Sequence, residues 1–407
     1  YEKAKFMLGA VPASYEGETD KILKECADYM GRGSSYKKVD VGVYFGKPGE
    51  TADDPFFGGK GPSRSGCTLC GGCMVGCRYN AKNTLDKNYL YLAEKLGVEI
   101  LPEQEVQDIR PLEDGGYQLT IRKSIGLRRP IQKLQAEKVI LSGGVMGTVK
   151  LLMQCRKKGS LVNISPKLGD FVRTNSEAII GVKLKQTPQE DFSKGIAISA
   201  GFHPDEKTHI ETVRYGKGQT AMALLTTLLS DRKIPLPGLI RWGISVIRAP
   251  LQFIANFFPF NWARKTIILL VMQPIDNYLK LNYKPRWWRL GGFSMNSQSS
   301  TGEKIPSHIP IGEKTAHTIM SKTGGTILTT YMDSIFDIPT TAHILGGACL
   351  GKNKDSGVID ENFEMFNYPG MYVIDGSMVP SNLGVNPSLT ITALAEYAMS
   401  QFPVSNK

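Results

Sequence analysis

The fold is decided by the stretch MYVIDGSMVPSNLGVNPS, which spans residues 371–388. Its apolar beginning predicts a strand over 371–374 that ends in an Asp-Gly turn. Pro387 and the serine after it are typical of a helix start, so we predict a helix over 388–400. Such a start leaves backbone N–H groups free to face an electron-rich ligand. Asn386 therefore either contacts that ligand or only caps the helix.

A second strand and turn come earlier, in the run KVILSGGVMG at 138–147. Its apolar half predicts a strand, its glycines a turn, and Thr148 begins a helix. A dinucleotide-binding unit opens with G-x-G-x-x-G after an apolar strand, whereas this run has the spacing G-G-x-x-G. The loop GGKG at 58–61 follows no apolar strand. The chain thus shows no first phosphate-binding unit, and we expect it to be a fragment of a longer enzyme.

A histidine lies between these runs, in the segment TAHILGG at 341–347. A lone histidine more often makes structural hydrogen bonds than performs catalysis. Its neutral imidazole can accept a proton near pH 7, which the oxidation of an alcohol requires while hydride leaves the carbon. His343 is therefore a candidate base, with a structural role as the alternative.

Taken together, the runs around His343 and Asn386 resemble the C-terminal signature of the glucose–methanol–choline (GMC) flavoprotein oxidoreductases, and most closely that of their cholesterol oxidase branch. The resemblance extends more loosely over nearly the whole chain. It implies that His343 and Asn386 flank the substrate hydroxyl beside a flavin. It also implies a set of FAD contacts: Asn83, Gly143, Gly147, Asp375, Gly376, Asn386 and Pro387.

The segment HIETVR at 209–214 supplies a third candidate for catalysis. It reads as a strand, and a glutamate on a strand often points to solvent. The resemblance implies a different role, because cholesterol oxidases carry a strand glutamate at a comparable place that acts as a base on the steroid. Glu211 is carried over on that ground.

Four of the seven cysteines lie within eleven positions, as Cys67-x-x-Cys70-x-x-Cys73-x-x-x-Cys77. This spacing matches the run that binds iron–sulfur clusters in bacterial ferredoxins, where the fourth cysteine serves a second cluster. No second run exists here, so a complete [4Fe–4S] site needs Cys77 to fold back or a remote thiol to reach it. Structural thiols and a zinc site are the alternatives.

Residues 239–274 form the most apolar stretch, interrupted by three arginines and two prolines. No uninterrupted span reaches the length that crosses a membrane. Three interpretations remain open for it: a lid over a hydrophobic pocket, a surface segment that dips into lipid with arginines at headgroup level, or an internal helix pair.

The composition bounds the class of protein. Hydrophobic residues make up 41% and charged residues 21%, which predicts a globular chain with a sizeable core. The net charge is +11 without a Lys/Arg block or a nucleic-acid motif, so we expect no nucleic-acid partner. A solvated basic surface and contact with a membrane surface are the alternatives. The odd, clustered cysteines favour a reducing compartment, so we expect a cytoplasmic protein with peripheral membrane contact.

We therefore predict an α/β (α+β) fold with two domains. A discontinuous Rossmann-like FAD domain, incomplete at its N-terminus, spans 1–164 and 335–407, and a mixed-sheet substrate domain spans 165–334. The predicted function is FAD-dependent oxidation of the CH–OH group of a hydrophobic alcohol, with a sterol favoured. The alternative is an iron–sulfur electron-transfer protein or a long-chain alcohol dehydrogenase subunit. Neither O2 nor another redox partner is favoured as the acceptor that reoxidises the flavin.

Overall fold

The computed structural model describes residues 1–285, 292–300 and 305–403. Its α-helices are α1 (Glu2–Leu8), α2 (Glu18–Tyr29), α3 (Tyr89–Lys95), α4 (Lys150–Lys158), α5 (Gly238–Arg248), α6 (Pro250–Phe257), α7 (Pro310–Thr323), α8 (Tyr331–Phe336) and α9 (Ser388–Ser400). Its strands are β1 (Val11–Pro12), β2 (Lys37–Lys38), β3 (Asp40–Val41), β4 (Thr51–Ala52), β5 (Arg64–Ser65), β6 (Gln104–Pro111), β7 (Tyr117–Lys123), β8 (Ile131–Ala136), β9 (Val139–Leu141), β10 (Ala178–Lys183), β11 (Ile198–Phe202), β12 (His209–Val213), β13 (Thr226–Leu228), β14 (Thr266–Met272), β15 (Leu279–Pro285), β16 (Phe293–Ser299), β17 (Thr326–Thr330) and β18 (Met371–Val373).

The largest sheet described has seven strands in the order β13-β17-β10-β14-β12-β11-β2, and neighbouring strands in it are antiparallel. At its centre lies β14, whose sequence TIILLVM is buried along its whole length. Side chains alternate between the two faces of a strand, so a strand that is apolar at every position must be covered on both faces.

Both faces of this sheet are in fact covered. On one face Ile267, Leu269 and Val271 pack with apolar side chains of α2 and α7. On the other face Ile268 and Leu270 join a separate cluster that contains Trp262 and Ala223. Glu211 lies on β12 of this sheet. The strand that was predicted around this residue is therefore a buried strand.

A second core surrounds a short parallel pair of strands, β9 and β18. Their register places Met371 beside Val139 and Val373 beside Leu141. Because parallel strands end at the same edge, the turn after β9 and the turn after β18 lie together. The predicted strands and the predicted helix α9 are confirmed. A π-helical turn over Val145–Val149 precedes α4, so the regular helix begins two residues later than predicted.

The predicted mixed α/β fold is confirmed by this architecture. The predicted domain limits stay a prediction. Helix α2 packs on the large sheet and β2 pairs with β11 at its edge, although both belong to the 1–164 segment that was assigned to the FAD domain.

Candidate active site

The turns after β9 and β18 are joined by the buried carboxylate of Asp375. One oxygen accepts hydrogen bonds from the backbone N–H of Gly144 at 2.9 Å and from the hydroxyl of Thr148 at 2.5 Å. The other accepts from the backbone N–H and the hydroxyl of Ser377, at 2.7 and 2.5 Å. The Thr148 hydroxyl also accepts the N–H of Gly143 at 3.0 Å. The structure thus brings together three of the residues that were predicted to contact FAD, since Gly376 directly follows Asp375.

Open space borders the glycine turn. A Cβ atom added at Gly144 or at Gly147 would meet no atom within 4 Å, and Gly144 has a φ of +67°. Gly376 is different, because an added Cβ would lie 3.4 Å from the side chain of Ile391. Backbone without side chains at the carboxyl ends of parallel strands is where α/β folds bring a cofactor close to the main chain. Gly144 and Gly147 therefore fit the predicted FAD site.

Asn386 lies just before α9 and does not cap that helix. Its side-chain N–H donates to the carboxylate of Glu211 at 2.8 Å, and no side chain caps the start of α9 at Pro387. The capping alternative is therefore wrong. An amide nitrogen has two N–H donors, so one remains for a ligand oxygen.

Glu211 is 2% exposed, so the alternative in which it points to solvent is also wrong. Burial raises its pKa to about 7, while the hydrogen bond from Asn386 and the nearby His343 act in the opposite direction. His209 lies 3.8 Å from the second carboxylate oxygen, and burial lowers the pKa of that histidine to about 4. The neighbouring imidazole is therefore neutral near pH 7 and offers Glu211 no compensating charge.

His343 is oriented by Glu177, a residue whose side chain is fully buried. The Nδ1 atom of His343 is hydrogen-bonded to the Glu177 carboxylate. The second carboxylate oxygen accepts from the hydroxyl of Thr341 at 2.8 Å and from the backbone N–H of Ala342 at 2.7 Å. A carboxylate accepts the proton of Nδ1–H, so the neutral ring presents Nε2 as its unprotonated atom. This is the tautomer that can take a proton from an alcohol.

These two pairs share one site. His343 and Glu177 are both close enough to act electrostatically on Glu211, which is itself bonded to Asn386. The three predicted catalytic residues thus lie together, although they are 43 to 175 positions apart in the chain.

The loop before Asn386 is held by Asn175, which has a left-handed φ of +58° and is fully buried. Its side-chain oxygen accepts the N–H groups of Leu383 and Gly384 at 3.1 and 2.8 Å, and its nitrogen donates to the carbonyl of Val385 at 3.0 Å. Asparagine tolerates the left-handed region better than other non-glycine residues. Asn175 therefore fixes the backbone that presents Asn386.

Sequence reasoning missed Glu177, Thr148 and Asn175. The run RTNSE at 173–177 carries a weak signal, because adjacent asparagine and serine residues favour turns and unusual backbone angles. Nothing in the local sequence of Glu177 points to a histidine 166 positions away.

Asn83, a further predicted FAD contact, is buried in a different set of contacts. Its side-chain oxygen accepts from Arg64 at 2.6 Å, and its nitrogen donates to the carbonyl of Met7 at 3.3 Å. The following helix, α3, is capped by Asn88 through the N–H of Tyr89. A contact between Asn83 and FAD stays a prediction.

The four clustered cysteines line one small cavity. Among the described residues, no group of three or more His, Cys, Asp or Glu side chains is arranged to hold a metal ion. The structure therefore adds no support to the zinc alternative, which needs four ligands around one ion, and the iron–sulfur site at these cysteines stays a prediction.

The most apolar stretch divides into two parts. Residues 266–272 are β14, the buried centre of the large sheet, so they are unavailable to lipid. The helices α5 and α6 lie on the surface instead, where only Gly238, Arg241 and Asn256 are buried. An internal helix pair is therefore wrong. Within the described residues, no helix is both long and apolar enough to cross a bilayer.

The fold and the site define the class as a flavin-dependent oxidoreductase, and comparisons with known proteins agree. Residues 304–395 match the family model described as GMC oxidoreductase. The cholesterol oxidase of Mycobacterium tuberculosis (strain H37Rv) is 42% identical over 414 residues, which cover 99% of this chain and 71% of that protein. The cholesterol oxidase of Acinetobacter baumannii is 40% identical, with 100% and 74% covered.

A solved structure shares the fold at much lower sequence similarity. The pyridoxine 4-oxidase from Mesorbium loti has a TM-score of 0.56 and 12% identity, and the match covers 96% of this chain and 71% of the other. The chain belongs to the GMC oxidoreductases, in the group that contains these bacterial cholesterol oxidases. The enzymes of this family use FAD to oxidise alcohols, which confirms the predicted class of enzyme and its flavin cofactor.

Proposed function

We propose that this protein oxidises the hydroxyl group of a sterol. The observation that carries the proposal is the meeting of two pairs, Glu177 with His343 and Glu211 with Asn386, at one buried site. The relatives named cholesterol oxidase, 40–42% identical over nearly the whole chain, support a sterol as the alcohol. They also leave little support for an iron–sulfur protein without flavin chemistry.

In this proposal His343 accepts the hydroxyl proton of the substrate at Nε2. Glu177 holds the ring in the tautomer that makes this possible, and its carboxylate balances the charge that the ring gains. The free N–H of Asn386 donates to the substrate oxygen and fixes its position. FAD, when bound, supplies the acceptor for the hydride that leaves the carbon.

Glu211 is suited to a different proton. A carboxylate with a pKa of about 7 can both accept and return a proton at neutral pH, which a carboxylate of ordinary pKa does poorly. We propose that Glu211 acts as a base on the steroid skeleton. Glu211 also accepts the hydrogen bond that orients the amide of Asn386. Protonation of Glu211 weakens this bond, because it removes the negative charge of the acceptor.

The residues that hold the flavin are proposed to be those of the two strand-end turns. Gly144 and Gly147 leave space beside the backbone, and Asp375 holds the two turns in one geometry. The first turn of α9, which follows Asn386 and Pro387, has free backbone N–H groups, which favour an anionic ring.

The substrate class is tested with the full-length, flavin-containing protein under anaerobic conditions. We expect a 3-hydroxysterol to bleach the flavin absorbance at least tenfold faster than a long-chain primary alcohol at equal concentration. Faster bleaching by the primary alcohol, with no response to the sterol, would contradict the sterol assignment while leaving alcohol oxidation intact.

A water-insoluble substrate also needs a route from the membrane, and α5 and α6 offer one. Their exposed apolar side chains, with those that follow α6, are Leu239, Ile240, Ile247, Leu251, Ile254, Phe257, Phe258 and Phe260. Exposed apolar patches of this kind mark interaction surfaces. Two of the three arginines predicted to reach headgroups are paired with carboxylates, the buried Arg241 with Asp337 and the half-buried Arg264 with Asp191, whereas Arg248 is exposed.

We propose that this apolar patch inserts into an anionic lipid surface. The variant Leu251→Asp/Phe260→Asp should lose binding to vesicles of phosphatidylcholine and phosphatidylserine, because a charge in the acyl region is strongly unfavourable. Leu127→Asp, a change at a fully exposed residue on a different part of the chain, is the matched control. Equal vesicle binding by both variants would rule the patch out.

A further inference from the structure

The cysteine cavity has no role in the chemistry proposed above. All four side chains of Cys67, Cys70, Cys73 and Cys77 line this one cavity, which the chain forms between the loop at 67–82 and Gly195. We propose that the cavity binds an iron–sulfur cluster of the four-iron type, with each of the four thiolates bound to one iron. The proposal is independent of the identity of the alcohol.

The structure assigns the fourth ligand, which the spacing of the cysteines left open. In ferredoxins the last cysteine of such a run serves a second cluster. Here Cys77 folds back onto the same cavity as the other three. The remote thiols are placed elsewhere: Cys26 lies in the core beneath the large sheet, and Cys155 in the core around the parallel strands. Cys349 is buried beside the carbonyls of Ser377 and Val379.

Hydrogen bonds to sulfur support a bound cluster. The backbone N–H of Leu69 donates to the sulfur of Cys67, and that of Ala81 donates to the sulfur of Cys77, each at 3.4 Å. N–H groups directed at ligand sulfurs stabilise the negative charge of thiolate-bound clusters and tune their potential. Backbone donors directed at two sulfurs of one cavity are what an anionic cluster requires.

The charge of the cavity fits the same ligand. Lys82 lines it and donates from its Nζ to the carbonyl of Cys73 at 3.3 Å. None of the described residues that line the cavity is an aspartate or a glutamate. Four thiolates around a cluster carry net negative charge, which a lysine offsets and a carboxylate would oppose.

A four-iron cluster and a single ion place their thiolates differently. One zinc ion would draw all four sulfurs to about 2.3 Å from a common centre. The described side chains show no such grouping. In a four-iron cluster each thiolate binds a different iron, so the sulfurs surround the cavity rather than converge on a point. Four cysteines line the cavity, one for each iron of such a cluster.

The experiment is metal and sulfide analysis of the full-length protein after anaerobic purification, with flavin content measured on the same sample. We expect about four iron and about four acid-labile sulfide per chain, and an electron paramagnetic resonance signal after reduction with dithionite. Cys70→Ser/Cys73→Ser should lose most of the iron and sulfide. Cys77→Ser should lose them to a similar extent, whereas Cys26→Ala, the matched control, should keep them.

Several outcomes would overturn the proposal. These are zinc in place of iron, iron without sulfide, or no metal in the wild-type protein. Iron and sulfide that are unchanged in Cys77→Ser would overturn the assignment of the fourth ligand. Flavin content reports whether each variant is folded, and the wild-type analysis decides the main question even where a variant fails to fold. A cluster in a protein that does not oxidise sterols would contradict the proposed function alone. Sterol oxidation by a protein without a cluster would contradict this proposal alone.

Discussion

Two buried carboxylate sites in this protein are built in different ways. Asp375 accepts four hydrogen bonds, two on each oxygen, from residues of the two strand-end turns. Glu211 accepts one, from Asn386, and burial raises its pKa to about 7. A carboxylate with every lone pair occupied fixes a backbone geometry, while one with spare capacity and a shifted pKa can exchange a proton.

The two kinds of carboxylate therefore have different roles within one site: one fixes the backbone and the other takes part in proton transfer. The turns around Asp375 are suited to hold a cofactor in place. The pairs Glu177–His343 and Glu211–Asn386 are suited to act on a substrate. Four changes test this division, each directed at one member of one group.

His343→Ala should have the largest effect on turnover. Removal of a general base lowers the rate by about 100- to 10,000-fold, and the half-buried ring adds little to substrate affinity. The check is kcat and KM of the flavin-containing protein with its alcohol, with His203→Ala as control. A turnover number that is unchanged would remove His343 from the mechanism.

Glu177→Gln should come next, because it alters the group that orients His343 without touching the ring. Loss of such a supporting carboxylate costs about 10- to 100-fold in activity. We expect the loss in kcat, with KM and flavin content near those of the wild type. Glu313→Gln is the matched control, since Glu313 forms the same kind of pair with His308, at a distance of 2.9 Å, in a different part of the structure. Equal losses in both variants would show that Glu177 acts only through folding.

Asp375→Asn should affect the other group. An amide cannot accept all four hydrogen bonds, and each bond to a charged group contributes about 1.5 kcal/mol or more. Flavin binding should therefore weaken by about tenfold or more, as measured by flavin release on dilution. Asp360→Asn is the control, because Asp360 accepts the N–H groups of Asn362 and Glu364 in another turn. Flavin retention that is equal in both variants would contradict the holding role.

Glu211→Gln should change the stability of the protein in a pH-dependent way. The pKa of Glu211 is raised from 4.5 to about 7, so the folded protein keeps a proton that the unfolded chain loses between these values. Wild-type stability should therefore fall relative to Glu211→Gln as pH rises from 4.5 to 7, by on the order of 3 kcal/mol, and stay level above. Melting temperatures of both proteins at pH 4.5, 6 and 8 measure this. A constant difference would show that Glu211 is not buried in this way.

The two groups also differ in what the sequence could predict. The turn after β9 and the turn after β18 follow short apolar strands with glycines at their ends, which are local signals. The contact between Glu177 and His343 joins two loop residues that are 166 positions apart in the chain, which no local pattern specifies. Glu211 was found by family resemblance alone, and its burial follows from β14 being covered on both faces.

The cysteine run shows the same limit. The spacing predicted a ferredoxin-like site but left the fourth ligand open, because that choice depends on where the chain folds back. The hydrophobicity of residues 239–274 predicted one apolar unit. In the structure this stretch is divided between a central strand and surface helices. Hydrophobicity alone cannot distinguish a strand buried on both faces from an exposed apolar helix.

His343 and Asn386 should act on the same substrate oxygen. A crystal structure of the full-length, flavin-containing protein with a bound 3-ketosteroid tests it most directly. We expect the ketone oxygen within about 3.2 Å of Nδ2 of Asn386 and of Nε2 of His343, which then carries the proton taken from the alcohol, with Glu211 against the steroid rings. A ketone oxygen that contacts neither residue in a fully occupied site would contradict it.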